Sequence, residues 1–214
     1  MLYKATTHPA MLMYLDNHIS AGPNSNHVRW ARSRNEQAGL NDNLGRELLE
    51  LHTVSPSANY TEDDIRDAAK VLAGWGMDVQ GNDIQNLLEQ AGTSNHWDIY
   101  KKNWAEPGSK VVLGKTIYQG KQGLRQLTDF LANHGHTINH LSFKLAEHFV
   151  SDVPKQSDVD YIASEWQKNN GSLESIHKAV IERAIESKEP KFQWPMTWLF
   201  QVIRLTDSRY FKGW

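Results

Sequence analysis

The chain has 214 residues, with 23 Lys and Arg against 25 Asp and Glu, so its net charge is −2 with His neutral. It contains no cysteine, which excludes a disulfide scaffold, thiol catalysis and cysteine-type zinc sites. The near-zero charge argues against non-specific nucleic-acid binding, no apolar run approaches the ~18 residues of a membrane span, and Met1–Lys4 does not open a signal peptide.

Helical periodicity predicts the elements of the first 76 residues. Pro9–Ile19 forms the first helix, with one apolar face made by Met11, Leu12, Leu15 and Ile19. Residues 20–40 are polar, are interrupted by a Gly-Pro pair, and predict a loop. A second helix is predicted over Asn41–Thr53, with an apolar stripe of Leu44, Leu48 and Leu51. The third begins after Thr61, with Asp64 as its capping-box partner.

The middle of the chain is the least helical part. A short helix is predicted near Asp83–Gln90, and Val111–Gly114 could form an extended segment or one arm of a short β-hairpin. The last helices are predicted over Gln122–Asn133, Thr137–Val150, Ser157–Lys168, Ser172–Glu186 and from Pro195 to about Leu205. The sequence therefore predicts an all-α fold: a single multi-helix domain over residues 1–214, with a loop-rich middle section at about 92–120.

Several strings carry a resemblance to a known family. They are HPAML from His8 followed by YLDN, GLN from Gly39, RELLELHT over Arg46–Thr53, YTEDD from Tyr60, and the Gly-Trp and Leu-Gly pairs further on. Their order and spacing resemble the bacterial family called domain of unknown function 1800. The RELLELHT block is the specific part of this resemblance.

The resemblance implies a mostly helical protein with no established activity. Family members are usually about twice this length, and the chain is similar to their C-terminal half, so a natural short form and a truncated piece both fit. Members are often encoded beside a sulfatase-like family, domain of unknown function 1501, and many are exported. The implied partner is therefore a sulfatase-like protein or a second copy of the chain, and the implied location is exported or periplasmic.

The chain departs from the family pattern at two places. The His-Asp pair that often precedes the Leu-Gly is replaced by Ala105-Glu106. The usual Asn-Tyr-Ala is replaced by Asn43-Leu44-Gly45. A glycine inside a helix costs roughly 0.5–1 kcal/mol relative to alanine, so we expect a close backbone approach at Gly45.

One polar cluster is expected on the helix over Asn41–Thr53. At 100° per residue, Asn43, Glu47 and Glu50 form a strip beside the apolar face, with Arg46 paired to Glu50. His52 falls on another side, so E-x-x-E-x-H does not make a metal site on one face. Glu47 and Glu50 could act as acid, base or ligands only with groups from elsewhere. The alternative is a structural ion-pair network.

A second cluster could involve His8, Asp16 and Asn17. On the helical wheel His8 lies at the centre of the apolar stripe, which is typical of a buried, hydrogen-bonded core histidine. The functional alternative places His8, Asp16 or Asn17, and Glu47 in one pocket between two helices.

Aromatic side chains offer a further possible binding site. Trp97 and Trp104 lie in a loop with amide and acidic neighbours and could stack on sugar rings, or they could simply pack a long connection onto the domain. Trp194 and Trp198 are expected to be core or lid contacts. No cofactor or metal is predicted. In the histidine-rich stretch, Lys144 stands between His140 and His148, and its charge would repel a metal ion.

Two hypotheses follow from these observations. The first is a non-catalytic binding or assembly module associated with the bacterial cell envelope. The second is a hydrolase or metal-assisted enzyme, with Glu47 as general base or ligand, Glu50 as its charge partner and His8 as acid or orienting group. The absence of a phosphate loop, a Gly-x-Ser-x-Gly elbow and a His-Glu-x-x-His motif favours the first.

Overall fold

A computed structural model describes residues 1–76 and 100–207, and this part of the protein is mostly helical. The helices are α1 Leu2–Thr6, α2 Pro9–Tyr14, α3 Asn26–Ser33, α4 Asn43–Glu50, α5 Glu62–Leu72, α6 Lys121–Ala132, α7 Gly135–Phe149, α8 Gln156–Lys168, α9 Leu173–Glu186 and α10 Pro195–Leu205. Strands β1 Lys110–Val112 and β2 Lys115–Ile117 pair as an antiparallel hairpin. The all-α class with a short hairpin in its middle section is confirmed. The predicted helix near Asp83–Gln90 lies outside the described residues.

The chain divides into two compact units, Met1–His140 and Leu141–Trp214. Each unit has its own cluster of buried apolar side chains. The prediction of one domain over residues 1–214 stays a prediction. None of the helices in the described ranges is long and apolar enough to cross a membrane.

The core of the first unit is built around the packing of α4 on α5. Leu44, Leu48 and Leu49 of α4 are fully buried, as is Leu72 of α5. The expected close approach at Gly45 is confirmed, because a Cβ there would lie 2.8 Å from the backbone nitrogen of Ala69. The helix ends at Glu50 rather than Thr53, which leaves Leu51 59% exposed and outside the predicted apolar stripe.

The capping box predicted at the start of α5 is confirmed and also anchors the hairpin. Asp64 Oδ2 accepts a hydrogen bond from the Thr61 backbone nitrogen at 2.8 Å, and Thr61 Oγ1 accepts one from the Asp64 nitrogen. Asp64 Oδ1 accepts from the Leu113 nitrogen at 2.7 Å. Leu113 and Gly114 both have positive φ, 50° and 74°, as a tight two-residue hairpin turn requires.

The prediction of a continuous loop over residues 20–40 is wrong, because α3 lies within it. Ser25 caps α3 by accepting a hydrogen bond from the Val28 nitrogen. Val28 and Ala31, three residues apart, are buried within the first unit. Two small apolar residues make a weak periodic signal among polar neighbours, and tertiary packing supplies the rest of the stabilisation.

The second unit is built around the packing of α8 on α9. Its core contains Val159 and Ile162 from α8 and Ile176 and Val180 from α9. The proline predicted at the first position of the last helix is confirmed at Pro195. No residue of α10 is buried.

Candidate functional site

The polar strip of α4 is tied to the start of α5. Arg46 donates from its two terminal nitrogens to the two carboxylate oxygens of Glu62, at 3.1 and 2.8 Å. This hydrogen-bonded partner is Glu62 rather than the predicted Glu50. The Glu62 hydrogen bonds raise the pKa of Arg46, and the charge of Glu50 adds to this effect. A bidentate pair on a half-exposed surface is typical of a structural contact between two helices.

Glu50 and Glu47 have different neighbours. Glu50 accepts a hydrogen bond of 3.4 Å from the Tyr60 hydroxyl, and both burial and the Glu50 charge raise the pKa of Tyr60. His52 lies near Glu47: burial lowers the pKa of His52, and the Glu47 charge opposes that shift. The helical wheel missed this neighbour because α4 ends at Glu50, so the 100° step no longer applies at His52. The backbone nitrogen of exposed Asn43 donates to Asn41.

His8 lies at the N-cap of α2 and is exposed, so the prediction of a core histidine is wrong. Its Nδ1 accepts a hydrogen bond of 3.2 Å from the Ala10 nitrogen. The helix begins at Pro9, and a residue before the first turn does not belong to the apolar stripe. Among the described residues, no hydrogen bond or ion pair joins His8 to Glu47, so the structure offers no direct support for a shared pocket.

Asp16 and Asn17, which are adjacent in sequence, have opposite environments. Asp16 is exposed with a left-handed φ of 55°. Asn17 is buried, and its amide nitrogen donates to the carbonyls of Leu72 at 3.1 Å and Trp75 at 2.7 Å. Asn17 therefore fastens the segment after α2 to the end of α5.

The ring of Trp104 is held between neighbours from the same unit. It stacks on His27 with ring centroids 3.9 Å apart, and the ammonium of Lys101 lies 4.7 Å from its centroid. These contacts support the packing interpretation of Trp104 rather than an open platform for a sugar. The other predicted aromatic residue, Trp97, lies outside the described residues.

A pocket of about 230 Å³ lies beside the start of α3. We call it the α3 pocket, and the residues that line it include Asn26, Arg29, Tyr100, Lys102, Glu106 and Gln119. Glu106 is buried, and its carboxylate accepts hydrogen bonds from the backbone and amide nitrogens of Asn24, at 2.8 and 2.7 Å. The pocket is therefore built around a fixed, hydrogen-bonded carboxylate.

The backbone around the α3 pocket is held from two sides. The Gly22 nitrogen donates to the Trp104 carbonyl at 2.8 Å, and a Cβ on Gly22 would lie 2.5 Å from Glu106, so only glycine fits there. The buried ammonium of Lys110 donates to the carbonyls of Glu106, Pro107 and Gly108. Burial lowers the pKa of Lys110, and the charge of Glu106 opposes the shift.

Sequence reasoning missed Asn24, Arg29 and Lys102 as pocket residues. They lie in segments of low hydrophobic periodicity, where the sequence gives no sign that residue 24 will meet residue 106. The departure from the family pattern at Ala105-Glu106 was the one signal that pointed to this place.

The second unit carries an exposed apolar surface on and beside α10. We call it the aromatic surface, and it consists of Phe192, Trp194, Met196, Trp198, Phe200 and Leu205, each at least 54% exposed. The expectation that Trp194 and Trp198 are core contacts is wrong, because both side chains are exposed. The half-buried side chains of α10 are Val202 and Ile203 instead. The alternative of lid contacts stays a prediction.

Within residues 1–76 and 100–207, no group of three or more His, Cys, Asp or Glu side chains could hold a metal ion.

The fold and these sites define a predominantly helical protein with a short hairpin, a small pocket lined by charged and apolar groups, and an exposed aromatic helix. The model of the family described as "Protein of unknown function (DUF1800)" matches residues 1–214, so the chain belongs to that family. This match confirms the resemblance carried by the HPAML and RELLELHT strings. No curated protein and no solved structure matches the chain.

Proposed function

We propose that this protein is a non-catalytic binding or assembly module of the bacterial cell envelope. The observation that carries the proposal is the aromatic surface of the second unit. The apolar face of an amphipathic helix normally packs on a core, yet α10 has no buried residue. Large exposed apolar patches on soluble proteins mark interaction sites.

The chemistry of the aromatic surface favours a protein partner. Trp and Phe are enriched at protein interfaces, and Trp is prominent among the residues that dominate binding energy. Arg204 is the sole charged residue within Pro195–Leu205, so the surface resembles the apolar centre of an interface rather than its rim. The family resemblance supports the choice of a sulfatase-like protein as this partner and an envelope location for the complex.

Co-purification with the sulfatase-like protein encoded beside this chain tests the proposal. We expect a stable complex that Trp198→Ser or Phe200→Ser weakens by roughly 30-fold or more, as loss of a central aromatic contact does. Ile181→Ser is the matched control, because Ile181 is 57% exposed on α9 and lies outside the aromatic surface.

Light scattering on the purified protein tests whether the partner is a second copy of the chain instead. A dimer that the same two substitutions dissociate would make a second copy the partner and would keep the assembly proposal. A monomer that captures no partner, or a complex indifferent to both substitutions, would overturn the proposal.

The enzyme hypothesis with Glu47, Glu50 and His8 makes a different prediction for Glu47→Gln. For this hypothesis to hold, metal analysis or a hydrolase screen must show bound metal or activity in the wild-type protein. The Glu47→Gln variant must then lose that metal or activity without a change in melting temperature. A loss of stability alone would not support catalysis, because removing one partner of a buried ion pair can cost about 3–5 kcal/mol. The neighbouring His52 is the one observation that favours acid or base chemistry at Glu47.

A further inference from the structure

The α3 pocket combines two unpaired cations with a carboxylate that is already satisfied. Among the described residues, neither Arg29 nor Lys102 forms an ion pair. Glu106, in contrast, is buried and accepts two hydrogen bonds from Asn24. The exposed charge available to a ligand is therefore positive.

The remaining polar groups of the pocket are mainly hydrogen-bond donors. Gln119 Oε1 already accepts a hydrogen bond from the Gly108 nitrogen at 2.7 Å, which leaves the amide nitrogen of Gln119 as a donor. Burial raises the pKa of Tyr100, so its hydroxyl stays protonated at neutral pH. Arg29 donates to Asn26 Oδ1 at 2.7 Å, and this contact orients the guanidinium beside the start of α3.

The volume of the pocket limits the size of its ligand. About 230 Å³ is below the usual range of drug-sized sites and has room for a molecule of about one sugar ring. An aromatic side chain, amide groups and cations together suit a ligand that has both hydroxyl groups and a negative charge.

We propose that the α3 pocket binds a small hydroxylated carboxylate, of the class of the sugar acids. The ligand carboxylate lies between Arg29 and Lys102, and its hydroxyl groups accept hydrogen bonds from Gln119 and Tyr100. This function goes beyond assembly through the aromatic surface, since the two sites share no residue.

Titration calorimetry of the full chain with glucuronate tests the site. We expect Arg29→Met and Lys102→Met each to weaken glucuronate binding by roughly tenfold or more, since each removes a charge-assisted contact. Arg32→Met is the matched control: Arg32 is exposed on the same helix but does not line the pocket, so its variant should bind as the wild type does. Because Arg29 and Lys102 are exposed, their variants should fold, which circular dichroism checks.

Two other ligands, glucose and acetate, test separately whether the site recognises the negative charge and the hydroxyl groups of glucuronate. Glucose lacks the charge and acetate lacks the hydroxyl groups, so both should bind at least tenfold more weakly than glucuronate. Equal binding of glucose would overturn the anionic part, and equal binding of acetate would overturn the sugar-like part. Absence of glucuronate binding, or equal weakening by Arg32→Met, would overturn the site itself.

Discussion

Helices α5 and α10 have the same length of 11 residues but opposite environments. Sequence EDDIRDAAKVL of α5 is largely charged or small, yet five of its residues are buried. Sequence PMTWLFQVIRL of α10 is far more apolar, yet none of its residues is buried. The more hydrophobic helix is therefore the more exposed one.

This difference shows that burial depends on the pattern of apolar residues and on a complementary partner, not on apolar content alone. The apolar residues of α5 recur on one face, which α4 covers through its leucines and Gly45. The polar residues of α10, Thr197, Gln201 and Arg204, lie on one face, but the rest of the helix is apolar and contains no buried residue. The described residues leave this apolar surface exposed, and that exposure is the physical basis of the assembly proposal.

The largest effect is expected at the centre of the α4–α5 contact. Leu48→Ala removes a fully buried side chain and should cost about 2–5 kcal/mol of unfolding free energy. Leu51→Ala, on the same turn but 59% exposed, should change it by less than about 0.5 kcal/mol. Urea unfolding measures both; similar costs would show that α4 does not pack as described.

The next largest change in unfolding free energy is expected at Gly45, where α4 and α5 approach closely. Gly45→Ala places a Cβ against the Ala69 nitrogen, and we expect a net loss of about 1–2 kcal/mol, because overpacking exceeds the gain in helix propensity. Gly39→Ala meets no atom within 4 Å and should be neutral in the same unfolding experiment. A stabilised Gly45→Ala variant would contradict the close approach.

The cap of α5 should make stability depend on pH. Burial opposes ionisation of Asp64, but the hydrogen bonds from Thr61 and Leu113 outweigh it, so its pKa is lowered on folding. Its contribution is present above the unfolded value of about 3.9 and is lost as pH falls through the lower folded value. Asp64→Asn should cost about 1 kcal/mol at pH 7 and less in acid, measured by unfolding across pH.

Asp63→Asn is the control for this experiment, because Asp63 also lies in the first turn of α5 and interacts with the same helix dipole. An identical pH profile for both variants would attribute the effect to the dipole rather than to the hydrogen bonds of Asp64.

The smallest effect is expected on α10. Met196→Ser replaces a side chain that is 58% exposed and should change the unfolding free energy of the isolated protein by less than about 0.5 kcal/mol. A loss of several kcal/mol in the monomer would show that α10 is buried within its own chain, and the contrast with α5 would disappear.

Local rules were enough to predict the elements whose signals are local. Thr61 and Asp64 lie three residues apart, so the capping box needs no tertiary information. Gly45 indicated a close contact because glycine is unfavourable within a helix. A short hairpin was predicted near Val111–Gly114, but Leu113 and Gly114 form its turn rather than part of an arm.

Contacts between distant segments could not be predicted in this way. The partner of Arg46 is on the next helix, and the environment of His52 depends on where α4 ends. His8 was misplaced because it is the N-cap of its helix, so the 100° step used to place it on the apolar face does not apply to it. The α3 pocket was missed for the same reason: its cations and its carboxylate come from polar segments that meet only in the folded protein.

The bond between Asn24 and Glu106 joins residues that are 82 positions apart. Closing so long a loop costs conformational entropy before the contact can stabilise the protein. Because α4 and α5 are neighbours along the chain, their packing requires a much shorter loop to close. We therefore expect the walls of the α3 pocket to assemble after the α4–α5 pair and to open before it. Hydrogen exchange should then be faster at the amides of Gly22 and Asn24 than at those of Leu48 and Leu49, so ligand entry would not require the core to unfold.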